Sequence, residues 1–271
     1  MPELPEVETV RRSLEPWACG RRIRAISRSD KPLRFPPGEM DRAIGCQVLR
    51  LLRRAKTIFV ELDSGDRLVL HLGMTGAWER LDKMDPPRPH EHLRFVLDDG
   101  GALAYTDPRR FGGVSLVDSS EAARLAAAYG PEPIDPGFGA ASLLAVAKGD
   151  RPLKSLLLDQ SAIAGIGNIY ACEALFRARL HPASPAGRLK LKSAELLAAE
   201  LRAVLLEAIE AGGSTIADFR APDGSAGKFT QSLLVYGREG EACFECAQPI
   251  RRIVQSGRSS FFCSRCQKKS R

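Results

Sequence analysis

Apolar side chains early in the chain recur at Val7, Val10, Leu14 and Trp17. Those steps of three and four residues put them on one face of a helix that starts near Pro5 and stops by Gly20. From about residue 22 to residue 117 the rhythm changes to short apolar runs. Residues 48–52, 57–62, 67–72, 93–97 and 102–105 read as strands. Asp63-Ser64-Gly65-Asp66 and Asp98-Asp99-Gly100-Gly101 read as turns between them. A helix ahead of such a series predicts a β-sandwich or barrel. Pro131, Pro133 and Pro136 then mark a linker, and beyond them the helical period returns. Residues 153–160 and 169–179 are helix candidates. Ser193 can cap a long helix whose apolar face holds Leu197, Leu201, Val204, Leu205 and Ile209, with Gly212 and Gly213 as its stop. The last segment, from about Tyr236, is short, basic and cysteine-bearing. There are no internal repeats.

Composition narrows this picture modestly. The 271 residues are 44% apolar, enough for one large domain or two ordinary ones. A net charge of +7 favours a polyanionic partner without identifying it. No run approaches the roughly 18–20 apolar residues of a membrane span. The opening MPELPEVE lacks the basic start and apolar stretch of a secretory signal, so the expectation is a cytoplasmic protein. Nothing implies an oligomer, and a monomer is expected.

Cysteine usage changes more. Cys19, Cys46 and Cys172 are scattered, while Cys243-x2-Cys246 and Cys263-x2-Cys266 lie 16 residues apart near the C-terminus. In a reducing compartment two such pairs suit one tetrahedral Zn²⁺ better than disulfides. Four thiolates leave no open coordination position, so the ion is expected to be structural. Residues 234–271 hold eight Lys or Arg against three Asp or Glu, a charge suited to phosphates.

The remaining motifs carry a resemblance. MPELPEVET, RRAKTIFVEL (53–62), HLGMTG (71–76), YTDPRRFG (105–112), GIGNIYACEALF (165–176), VYGREG (235–240) and the four cysteines together resemble the formamidopyrimidine-DNA glycosylases, also called 8-oxoguanine DNA glycosylases. The order of the motifs matches along nearly the whole chain. The resemblance implies an α+β chain. An N-terminal helix with a two-sheet β-sandwich catalytic domain (1–130) comes first. A helical domain with a helix–two-turns–helix motif (131–233) and a zinc-finger β-hairpin (234–271) follow.

It also implies chemistry. Once Met1 is removed, Pro2 exposes a secondary amine. An α-amino group has a pKa of about 8, so a useful fraction is unprotonated at neutral pH. Attack on a sugar C1′ expels the base and leaves an iminium ion, whose positive charge acidifies the C2′ hydrogen and opens the way to strand cleavage. The resemblance assigns this attack to Pro2. It gives Glu3 proton exchange with the opening ring and places Glu6 near the damaged nucleotide. Lys56 becomes the proton donor in β-elimination, and Arg258 the arginine that grips phosphates and serves δ-elimination. Read without the resemblance, Pro2, Glu3, Pro5 and Glu6 are a good helix start with acidic residues at the positive end of the dipole.

Excision requires the nucleotide to leave the duplex. Met74, Arg109 and Phe111 match the trio that fills the vacated space, and Met and Phe are the wedge types that separate base steps. Asn168 is expected as a helix cap with a phosphate at the helix start. His90, Arg151 and Lys154 are expected backbone contacts. Residues 218–228 are expected to form a loop over the flipped purine. The partner is thus double-stranded DNA with oxidised bases or abasic sites. Two alternatives stand beside this reading: an endonuclease VIII-like glycosylase for oxidised pyrimidines, and a non-catalytic zinc-finger DNA-binding protein.

Overall fold

A computed structural model describes residues 2–82, 84–214, 222, 224 and 227–269, and within them the first helix forms where the apolar spacing puts it. Helix α1 (Leu4–Ala18) carries Pro5 in its first turn and buries Val7, Val10 and Leu14 along one stripe. Trp17, expected on the same stripe, is only partly buried at its margin. The helix packs on strands β2 (Val48–Arg54) and β3 (Thr57–Leu62). It is pinned there by Glu8, whose Oε2 accepts from Arg53 Nε at 3.1 Å.

The strands form two antiparallel four-stranded sheets. One has the order β1 (Ile23–Arg28), β6 (Glu91–Leu97), β7 (Gly101–Thr106), β5 (Ala77–Asp82). The other runs β2, β3, β4 (Arg67–His71), β8 (Gly113–Val117). Strand β4 alternates, burying Leu68 and Leu70. These join Ile58, Val60, Trp78, Phe95, Leu103 and Tyr105 in a core shared by both sheets and α1. Of the two architectures the pattern allowed, the sandwich is the one formed. Each buried aliphatic side chain contributes about 2 kcal/mol to it.

The chain divides into two units: Met1–Ala128 with Ala211–Lys228, and Tyr129–Glu210 with Phe229–Arg271. Residues 211–228, expected in the middle domain, join the first unit, and the cysteine-bearing end groups with the helices. The expected loop at 218–228 falls largely outside the described residues. Two helices were not foreseen, α2 (Ser119–Ala127) and α3 (Ala140–Val146). Each buries a single apolar residue, Ala122 or Leu143, so neither has an apolar stripe to read.

In the second unit α4 (Leu153–Leu157) and α5 (Asn168–Arg177) flank two successive turns. Gln160 ties these together, donating to the carbonyls of Leu158 and Ile166 and accepting from Gly165 N. Helix α4 stops short of residue 160 because Asp159 Oδ1 captures the Ser161 N–H at 3.0 Å and turns the chain. Helix α6 (Leu191–Glu210) starts before Ser193; the Lys190 carbonyl already accepts the Ala194 N–H. Strands β9 (Arg251–Gln255) and β10 (Arg258–Phe262) form the terminal hairpin. Among the described residues no helix is long and apolar enough to cross a membrane.

Candidate nucleic-acid interface and active site

Strand register gathers the first unit's expected site residues. His71 of β4 pairs with Thr57 on one side and Gly113 on the other. The turn before Thr57 therefore lies at the same sheet end as the chain leaving β4 and the chain reaching β8. Lys56 occupies that first turn, a two-residue hairpin loop closed by Arg54 and Thr57. In the second sheet Thr106 pairs with Ala77 and Glu91. The connections 72–76 and 107–112 thus cross between sheets side by side. They carry Met74, Arg109 and Phe111, and His90 ends the neighbouring connection.

The two crossings are fastened by Asp107, which is fully buried. Its Oδ1 accepts from Thr75 Oγ1 at 2.5 Å, and its Oδ2 accepts from Gly112 N at 2.8 Å and from Tyr105 Oη at 3.2 Å. Burial and the Asp107 charge push the Tyr105 phenol up, so it remains a donor. Gly73 completes the fastening. Its φ is +62°, and a Cβ there would stand 2.3 Å from Gly112 N. Held this way, Met74 and Phe111 stay 37% and 42% exposed, and the Arg109 guanidinium lies 4.7 Å from the Phe111 ring centre. Exposed apolar side chains on a tied-down turn, with a cation stacked on one of them, form a wedge with a hydrogen-bonding tip. Asp107 lies within the YTDPRRFG motif, and its position directly after a strand, near glycines and a threonine, is the sequence signal of this role.

Backbone strain falls in the same places. Ala55, His90 and Arg110 have φ of +52°, +62° and +57°. They lie beside Lys56, at His90 itself and between Arg109 and Phe111. Left-handed backbone at non-glycine residues persists where surrounding structure over-determines it, commonly in functional loops. The His90 carbonyl accepts the Asp107 N–H at 3.1 Å, so this strained residue is tied to the same carboxylate residue.

Pro2 and Glu3 are buried at the start of α1. Glu6 Oε2 accepts the Glu3 N–H at 2.8 Å, half of a capping box. Glu6 is itself only 1% exposed. His71 was missed as a site residue. Its Nδ1 accepts the Gly73 N–H at 3.0 Å, leaving the proton of the neutral ring on Nε2. Burial, aided by the charges of Lys56 and Arg34, holds its pKa down to about 4. It is a neutral donor beside a lysine.

In the second unit the expected residues sort differently. Arg258 opens β10, exposed, directly after the Ser256-Gly257 turn. The next carbonyl, that of Ser259, accepts from Asn168 Nδ2 at 2.9 Å and Lys154 Nζ at 2.8 Å. Lys154 Nζ also donates to Ser260 Oγ at 2.7 Å. Lys154 is 1% exposed, so the phosphate contact expected of it is replaced by an internal one that steadies the strand bearing Arg258. Asn168 is not the cap; Gly167 holds that position and Asn168 is the first helical residue. Its Oδ1 is buried with no partner among the described residues. Arg151 is exposed but braced, donating to Asp159 Oδ2 at 2.9 Å and to the Ser155 carbonyl at 2.7 Å.

The four expected cysteines converge. Sγ atoms of Cys243, Cys246, Cys263 and Cys266 lie within 4.8 Å of one another. Tetrahedral thiolates at the usual zinc distance stand about 3.8 Å apart. Cys243–Cys266 at 4.0 Å and Cys246–Cys263 at 3.4 Å bracket that value. The donor set fits one structural zinc ion. Cys243 and Cys263 pack with Cys172 and Phe176 of α5, Val235 and Ile250. The segment leading to the cysteines is held by buried Glu173, whose carboxylate accepts the N–H groups of Leu234, Val235 and Tyr236 at 2.8–3.0 Å. Burial raises this carboxyl's pKa against the pull of those donors.

Each of these parts has a counterpart in known proteins. Residues 1–114 match the formamidopyrimidine-DNA glycosylase N-terminal domain, 129–220 the H2TH domain of the same enzymes, and 240–269 a zinc finger found in FPG and IleRS. A formamidopyrimidine-DNA glycosylase of Cereibacter sphaeroides is 47% identical, covering 99% of this chain and 100% of its own. One from Sphingopyxis alaskensis is 48% identical with the same coverage. Among solved structures, the MutM (Fpg) protein of Thermus thermophilus matches over 100% of both chains with a TM-score of 0.88 and 42% identity. Lactococcus lactis Fpg in complex with DNA containing an abasic site matches at 0.88 and 34% identity, over 99% of this chain and 100% of that one.

Proposed function

The chain belongs to the formamidopyrimidine-DNA glycosylase family, and from that premise we propose that it excises oxidised purines from duplex DNA and then cleaves the abasic strand. The substrates are 8-oxoguanine and ring-opened formamidopyrimidines. Solved relatives held with Fapy-dG DNA, abasic-site DNA and carbocyclic 8-oxo-G DNA support that class.

The observation that carries the reading is the arrangement at one sheet end: a strained Lys56 hairpin, a neutral His71 and a fastened Met74–Arg109–Phe111 wedge. Helix α1, with Pro2 at its buried start, packs on the strands of that hairpin. The wedge enters the duplex, Met74 and Phe111 between base steps and Arg109 toward the base left unpaired. The Pro2 nitrogen, free once Met1 is removed, forms a bond to C1′ as the C1′–base bond breaks. Glu3 exchanges a proton with the opening sugar ring. The iminium ion that results acidifies C2′; loss of that proton expels the 3′ phosphate, and a second elimination expels the 5′ phosphate. Lys56 serves the first elimination and Arg258 the second. His90, Asn168 and Arg151 are assigned to the DNA backbone; Lys154 acts from inside by holding Ser259. The zinc ion takes no part in the chemistry: Cys243, Cys246, Cys263 and Cys266 would hold it, and it would close the hairpin that presents Arg258.

Borohydride added to Met1-free protein on an 8-oxoguanine duplex should trap a covalent adduct that maps to Pro2. Folded protein that yields no adduct would overturn the mechanism. Faster excision of thymine glycol than of 8-oxoguanine would overturn the lesion class.

A further inference from the structure

Two segments far apart in sequence meet on one buried carboxylate in the first unit. Glu6 Oε2 holds the Glu3 N–H at 2.8 Å. Glu6 Oε1 accepts the Ser214 N–H at 2.7 Å and the Ser214 hydroxyl at 3.0 Å. The Glu3 N–H belongs to the Pro2–Glu3 peptide, which is joined directly to the Pro2 ring. One oxygen of Glu6 therefore fixes the plane that carries the proline, and the other oxygen is fixed by Ser214.

The segment bearing Ser214 is itself confined. Gly213 has φ +83°, and a Cβ there would stand 3.0 Å from Glu6 Oε1 and 3.1 Å from its Cγ. Ser214 pairs with Lys228 in an isolated bridge, and the Lys228 N–H donates to the Ala211 carbonyl at 2.9 Å. A Cβ on Gly227 would stand 2.3 Å from the Gly213 carbonyl oxygen. Backbone thus lies on backbone, with glycine where any side chain would intervene. Ser214 approaches Glu6 from a closed neck, so its two donors are held in direction as well as in distance.

We propose that Ser214 is a positioning residue for the attack by Pro2, acting through Glu6. The inference rests on Pro2 being the nucleophile. Attack needs the amine about 3–3.5 Å from C1′ and aligned with the breaking bond. A Glu side chain with three rotatable bonds holds the Glu3 N–H in one geometry only if its far oxygen is also held. Without the Ser214 hydroxyl that oxygen loses one of the two donors this residue gives it. The Pro2–Glu3 plane then samples a wider range, and fewer encounters reach attack geometry.

A serine on this neck could instead serve recognition of the extruded base. An abasic site separates the two roles, because it has a C1′ to attack and no base to recognise. The experiment is single-turnover borohydride trapping on a duplex with a preformed abasic site, at saturating enzyme. Wild type, Ser214→Ala and Ser214→Thr are compared, with DNA affinity and thermal melting measured alongside. We expect Ser214→Ala to trap about three- to tenfold more slowly with affinity unchanged, and Ser214→Thr, which keeps the hydroxyl, to restore most of the rate. Trapping by Ser214→Ala at the wild-type rate overturns the inference, whether or not 8-oxoguanine excision falls. If Ser214→Ala melts early, Ser214→Thr decides alone: a folded, hydroxyl-bearing variant as slow as alanine overturns it. No adduct with wild type overturns the Pro2 reading and this inference with it.

Discussion

His71 sits between Thr57 and Gly113 in its sheet, in the fields of Lys56 and Arg34, and burial with those two charges lowers its pKa from 6.5 to about 4. The folded protein therefore resists a proton that the unfolded chain accepts below about pH 6.5. Stability from this residue is full above pH 6.5, falls as the pH drops from 6.5 toward 4, and levels off below. The whole effect is about 3 kcal/mol. Urea unfolding of wild type and His71→Asn from pH 7 to pH 4 should show a steeper loss for wild type. Parallel curves would mean that the imidazole titrates alike in the folded and the unfolded chain. Single residues are where the sequence was least explicit. Lys154 reads as a surface cation, and nothing local says that Ser259 and Ser260, more than a hundred positions later, enclose its ammonium. Asn168 has the composition of a cap, but Gly167 takes that position and frees the amide to reach the hairpin.

Elements were legible in proportion to their apolar content. Strand β3 coincides with the run read at 57–62, and α1 follows its stripe, because burial and periodicity coincide there. Helices α2 and α3 bury one residue each and left no pattern to find. The zinc hairpin was legible through spacing alone, and its dependence on metal is a property of the element. Its strands share a small cluster with Cys243 and Cys263 and have no sheet neighbour beyond each other among the described residues. A two-stranded ribbon is marginal in water without further support. Chelation should therefore remove hydrogen-exchange protection from β9 and β10 while leaving β3 and β4 protected, and should weaken DNA binding at least tenfold. Protection that survives with the zinc gone would mean that Glu173 and the apolar cluster suffice to hold the hairpin.

At the scale of the molecule, charge and connectivity govern. The net +7 is concentrated near the C-terminus, with Lys56, Arg109 and Arg151 contributing elsewhere. Binding to undamaged duplex should weaken linearly on a log–log plot against salt, with a slope of about −0.9 per phosphate neutralised. Arg258→Ala should make that slope shallower by about one; a slope indifferent to salt would contradict phosphate contact. The sandwich, the helical region and the metal site could all be read in order along the chain, but the return of residues 211–228 to the first unit could not, since it depends on Glu6, Gly213 and Ser214 meeting. That return also sets a timetable. Glu6 leaves the ribosome 208 residues ahead of Ser214. At about 5–20 residues per second the delay is roughly 10–40 seconds. During that interval the clasp on the N-terminus is half made. Removal of Met1, on which the Pro2 reading depends, therefore has that interval before Ser214 exists to lock the Pro2–Glu3 peptide through Glu6.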